Sequence, residues 1–143
     1  MKISLSLLCL VALFGCGPQS LVTDGTYQSD STSPLPNATL LIDLKAKTAS
    51  VTLSGTSTPV VLQMTAVPAS KWETGCPTNY TSVSVETWTL TPDPAVLGTL
   101  SLATPRLVAG CGLDAANANE VVLEGTGAPN ETHYTLGFTR VTR

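Results

Sequence analysis

Apolar and polar residues alternate with a period of two along most of this chain, which is the signature of strands with one buried face. In ATLLIDLKAKTASVTLSG, Leu40, Ile42 and Leu44 share one face, as do Ala49, Val51 and Leu53 after a turn near Ala46-Lys47. The spacing predicts a hairpin there. TPVVLQMTAV continues the alternation through Leu62, Met64 and Ala66, and THYTLGFTRV does so through Tyr134, Leu136 and Phe138. DGTYQSD predicts a first strand entered through Asp24-Gly25, and the prolines of STSPLPN predict a loop, because proline cannot donate within a ladder. VLGTLSLA, PRLVAG and NEVVLEG predict further short strands.

Two stretches depart from simple alternation. In TSVSVETWTL, Val83 and Val85 lie on one face and Trp88 and Leu90 on the other. Such a switch predicts either a bulge near Glu86-Thr87 or burial on both sides of the sheet. PASKWETGCPTNY is the longest irregular passage, and LDAANANE is the one candidate helical turn, with Asp114 placed to cap it. Eight or nine short strands punctuated by Gly, Pro, Asn and Asp define an all-β fold. We expect a small antiparallel barrel of about eight strands, with a two-sheet β-sandwich as the alternative. The barrel is preferred because closure removes edge strands, and few edge charges stand ready to protect them.

Composition agrees with that pattern. The chain holds 22 threonines, whose branched side chains suit a pleated, half-exposed surface. Its 143 residues carry a net charge of −3, and no basic cluster occurs anywhere, which excludes a nucleic-acid partner. No second domain is needed for a chain of this length.

The first fifteen residues, MKISLSLLCLVALFG, place Lys2 before an apolar run from Ile3 to Phe14. That run falls short of the roughly 20 residues a membrane-spanning helix needs, so it predicts a signal peptide, residues 1–15, rather than an anchor. Leu13-Phe14-Gly15-Cys16 resembles the lipobox of bacterial lipoproteins. The resemblance implies cleavage before Cys16, lipid on its sulfur and acylation of the new amine. Residues 16–23 would then be lipidated cysteine and short tether, and 24–143 a single all-β domain. Gly17 replaces the aspartate that retains enterobacterial lipoproteins on the inner membrane, so the resemblance implies the outer membrane. Soluble secretion, with cleavage after Gly17, is the alternative. At the other boundary, Gly25-Thr26-Tyr27 resembles the Gly-x-aromatic that opens barrels of the lipocalin and avidin sort, which often hold a ligand inside.

Cysteine use follows from the address. Cys9 leaves with the leader and Cys16 carries lipid, so Cys76 and Cys111 remain as an even pair in an oxidising compartment. A disulfide between them would stabilise the fold by roughly 3–4 kcal/mol in the loop-entropy picture. Two cysteines and one histidine are too few for a closed zinc site, and no metal or cofactor is expected.

The pattern offers no catalytic constellation. His133 is the single histidine, no Gly-x-Ser-x-Gly elbow exists, and clustered oxygen ligands for calcium are missing. His133 therefore reads as a surface residue of the last strand. The passage from Lys71 to Tyr80 is different, because it gathers Trp72, Glu73, Asn79 and Tyr80 around Cys76. Rigid loops bearing Trp and Tyr are typical of binding surfaces. The expected function is thus a non-catalytic, lipid-anchored envelope module that binds or supports. Its expected partners are the membrane, through Cys16, and an envelope or extracellular protein. The alternatives are an inhibitor of a lysozyme or protease and a small-ligand-binding barrel.

Overall fold

A computed structural model describes residues 20–71, 86–109, 120–128 and 131–141. Nine strands follow in order: β1 Gly25–Gln28, β2 Thr39–Asp43, β3 Thr48–Thr52, β4 Val60–Ala66, β5 Glu86–Thr91, β6 Ala95–Leu97, β7 Leu100–Ala109, β8 Glu120–Ala128 and β9 Thr132–Arg140. All pairings are antiparallel and join strands adjacent in sequence, except that β5 pairs with β7 rather than β6 and β1 pairs with β9 to close the ring. The result is an antiparallel up-and-down barrel of eight staves, because β5 and β6 share one position. Both pair with β7, β5 at its end from Arg106 to Ala109 and β6 at its start from Leu100 to Leu102.

The broken stave has a local cause. Between β5 and β6 stands Pro92-Asp93-Pro94, and neither proline can donate to the ladder. Opposite this break, β7 shifts register between Ala103 and Arg106, around Pro105. Asp93 Oδ1 accepts from the Thr104 amide at 2.8 Å and bridges the gap. PRLVAG is accordingly no separate strand but the second half of β7. VLGTLSLA, expected as one strand, is split by the Gly98-Thr99 turn. Gly98 has φ +67°, and a Cβ there would lie 2.9 Å from Leu53 Cδ1.

Alternation survives folding almost everywhere. Leu40, Ile42, Ala49, Val51, Leu62, Met64, Leu136 and Phe138 all point inward and are buried. Leu44 and Leu53, just beyond their strands, pack partly against the same core. Ala66 is the exception: at the last position of β4 it is exposed at the barrel rim. In β5 the inward residues are Glu86, Trp88 and Leu90, set by pairing with Ala109, Leu107 and Met64. Thr87 faces outward yet is buried like Glu86 beside it, and the register from Glu86 to Thr89 runs without a bulge. Val83, Val85 and the LDAANANE turn with Asp114 lie outside the described residues, save its last residue, Glu120, which begins β8. A short 3₁₀ turn at Ala69–Lys71 occupies part of the passage read as irregular.

Two glycines on β8 stand where a neighbour leaves no room for a side chain. A Cβ on Gly127 would stand 2.1 Å from Tyr134 Cε2, so the Tyr134 ring covers the place a side chain would take. A Cβ on Gly125 would meet the Ala103 carbonyl oxygen at 2.9 Å, inside the β7 irregularity. Glycine is required where backbone or ring approaches this closely.

Candidate functional site

The end of the barrel where β5 and β8 begin and β7 and β9 finish is closed by the segment before β1. Ser20 to Asp24 crosses this mouth as a strap. Val22 is buried and joins the core. Glu86, inward at the start of β5, holds the strap's beginning. Its Oε2 accepts from the amides of Leu21 and Val22, the latter at 3.1 Å. Its Oε1 accepts from the Ser20 hydroxyl at 2.7 Å and from Trp88 Nε1 at 2.8 Å. A carboxylate only 4% exposed is costly to bury unless its oxygens are satisfied, and here four donors satisfy them.

The strap's other end is held from β1 and β9. Arg140 Nη1 donates to Thr23 Oγ1 at 3.0 Å, and Arg140 Nη2 donates to the Asp24 carbonyl at 2.8 Å. Tyr27, wholly buried, donates its hydroxyl proton to the Thr23 carbonyl at 2.9 Å and lies 3.0 Å from Thr23 Oγ1. Thr23 Oγ1 therefore donates to the Tyr27 oxygen while accepting from Arg140, and the relay is satisfied at every step. Asp24 Oδ1 accepts from the Leu44 amide at 2.6 Å and ties the strap to the β2–β3 turn. Residues 20–23, expected within the tether, are thus hydrogen-bonded to the barrel.

Sequence reasoning did not single out Glu86, Arg140 or Thr23. The signal for Glu86 was present, since a lone carboxylate at an inward position of a strand demands partners. Of its partners Trp88 is two residues on, but the three in the strap lie 64 to 66 residues away and carry no sequence mark.

The opposite mouth is covered by the β1–β2 loop. Leu35 is buried there, and Ser29, also buried, donates to its carbonyl and accepts from the Ala38 amide at 2.9 Å. Between the two mouths the inward side chains, including Tyr27, Leu62, Leu97, Leu102, Leu107 and Phe138, are essentially inaccessible to solvent. The described interior is a packed core.

Chemistry is sparse on this frame. His133 is exposed near the start of β9, as expected of a surface strand residue. Arg106 and Glu124 form an ion pair at 2.6 Å between β7 and β8. Among the described residues no group of three or more His, Cys, Asp or Glu side chains could hold a metal ion. Among them, too, no helix is long and apolar enough to cross a membrane.

Cys16, Trp72, Glu73, Cys76, Asn79, Tyr80 and Cys111 all lie outside the described residues. What is described are the strand ends that flank them. The chain leaves at Lys71 and returns at Glu86; it leaves again at Ala109 and returns at Glu120. Glu86 and Ala109 are register partners, so both segments attach to the strapped mouth. No known protein family, no curated protein and no solved structure matches this chain.

Proposed function

We propose that this chain is a lipid-anchored, non-catalytic binding module of the bacterial cell envelope. In this reading, Cys16 carries the lipid and the segment from Trp72 to Tyr80 makes the contact. The observation that carries it is the strap. Ser20 is bonded to Glu86 only four residues after Cys16. Four residues reach about 14 Å at full extension, so a lipid on Cys16 holds the strapped mouth close to the bilayer. The segment bearing Trp72 and Tyr80 leaves from that same mouth. A partner engaged there is one that also sits at the membrane surface.

The packed interior favours this reading over a small-ligand barrel, because a ligand inside would have to displace core side chains. The barrel then serves as a rigid platform, and rigidity lowers the entropy lost when its loops engage a partner. An inhibitor of a membrane-associated lysozyme or protease is the same arrangement with an enzyme as partner.

The test compares the native chain with Trp72→Ala and Tyr80→Ala in membranes, using crosslinking and mass spectrometry. Loss of one specific crosslinked protein, with melting temperature unchanged, supports the reading. Identical crosslinks from all three chains overturn the role of the segment. An unmodified Cys16 in the intact mass of protein from membranes overturns the anchor.

A further inference from the structure

The barrel closes through its weakest pairing. β1 meets β9 only at Tyr27↔Arg140 and Gln28↔Thr139, with one further bond from the Val141 amide to the Thr26 carbonyl. Below Thr139, β9 is paired on its β8 side alone. Hydrogen bonding alternates along a strand. Since Val141 and Thr139 face β1, the amides and carbonyls of Gly137 and Thr135 also face that side. Among the described residues no backbone pairs with them. The next position of β1 whose backbone would meet Gly137 is Asp30, and its carbonyl accepts from the Asn37 amide at 3.3 Å instead.

A groove of about 410 Å³ lies along this seam. Gln28, Asp30 and Asn37 form one bank, and Gly137, Thr139 and Glu120 the other. Exposed Gly137 has no side chain to block approach to the edge. The stretch Thr132 to Phe138 contains no Lys, Pro or carboxylate, which are the usual guards of an exposed edge. Among the described residues the groove's carboxylates are Glu120 and Asp30, whose Oδ1 accepts from Thr32 and Ser33 while no bond is made to its Oδ2. The one cation among the described lining residues, Arg140, is already bonded to Thr23 and Asp24.

From this juxtaposition we infer that the β1–β9 seam is a strand-addition site that takes an extended, basic segment of a protein partner. The backbone of Gly137 and Thr135 supplies the pairing, and Asp30 and Glu120 select lysine or arginine at the flanks. A second copy of this chain fits less well, because it brings the same net charge of −3 against the same two carboxylates. No residue named at this site belongs to the Trp72–Tyr80 segment.

The test uses the full chain and a capped seven-residue peptide of alternating threonine and valine with lysine at each end. Its control is the same peptide with alternate amides N-methylated. Amide hydrogen exchange is read at Thr135 and Gly137. In the free chain both amides should exchange quickly, and saturating peptide should slow them at least ten-fold. The N-methylated peptide should have no effect. Asp30→Asn with Glu120→Gln should weaken binding several-fold and flatten its salt dependence. Thr135→Pro should abolish binding and leave the β8 ladder whole, because the Thr135 amide faces away from β8. Four results overturn the inference. They are no binding, binding without protection of these two amides, protection already present in the dilute free chain, and protection that rises with protein concentration alone.

Discussion

Tyr27 and Arg140 are register partners across the β1–β9 closure, and both are bonded to Thr23. One residue of the strap thus locks the weakest pairing of the barrel. Removing the Tyr27 hydroxyl leaves the Thr23 carbonyl and hydroxyl short of a partner at a partly buried site. Tyr27→Phe should lower stability by about 1–2 kcal/mol, read as a shift in denaturant midpoint at constant slope. An unchanged midpoint would show that the relay contributes nothing to closure.

Glu86 should matter more. Glu86→Ala strands the Leu21 and Val22 amides and the Trp88 indole at once, and should cost about 2–4 kcal/mol. Glu86→Gln keeps the size but turns one acceptor into a donor that opposes the donors already present, so it should recover only part of the loss. Hydrogen exchange at Val22 separates strap release from global unfolding. In Glu86→Ala it should speed up far more than exchange at Leu123 in β8.

Gly127 and Tyr134 form a pair that a double-mutant cycle can resolve. Gly127→Ala drives a methyl into the Tyr134 ring, and overpacking of this kind costs about 1–3 kcal/mol. In a Tyr134→Ala background the same change should cost much less. Equal costs in both backgrounds would mean that glycine is there for its backbone alone.

Asp30 gives a pH signature to the β1–β2 loop. Hydrogen bonds from the Thr32 hydroxyl, and then from the Thr32 and Ser33 amides, hold its carboxyl below the ordinary value of 3.8. A carboxylate depressed on folding contributes stability above its unfolded value, and that contribution fades as pH falls through the folded value. The loop should therefore loosen only in acid below the normal aspartate range. An NMR titration of the Asp30 carboxyl carbon measures this, and a midpoint at or above 3.8 would exclude the contribution.

The pattern of the chain carried most of this fold because a period of two is a local property. Leu40, Ile42, Ala49 and Val51 announce their face without reference to anything distant. The strap was not legible, since Ser20, Leu21 and Val22 show no alternation and their partner Glu86 is far along the chain. The broken stave was half legible. Pro92 and Pro94 mark the interruption, but only the long β7 reveals that β5 and β6 share one position. His133 was legible as a surface residue because nothing around it offered chemistry to share.

The pairing of Glu86 with Ala109 bears on the cysteines. Cys111 stands two residues beyond Ala109, and Cys76 ten residues before Glu86. Two residues extend at most about 7 Å and ten about 35 Å, so chain length permits the two sulfurs to meet. A Cys76–Cys111 disulfide is thus within reach of both segments. It would join them at the mouth where the strap is seated. Thiol labelling of the envelope-derived chain, denatured but not reduced, should find neither sulfur free. Cys111→Ser should cost roughly 2–5 kcal/mol, as loss of a native disulfide does in small exported domains. Full labelling of both thiols in freshly extracted protein would remove the staple. The Trp72–Tyr80 segment would then have no covalent support, and its affinity for a partner should not change under reduction. If the staple exists, reduction should weaken that contact before the barrel itself unfolds.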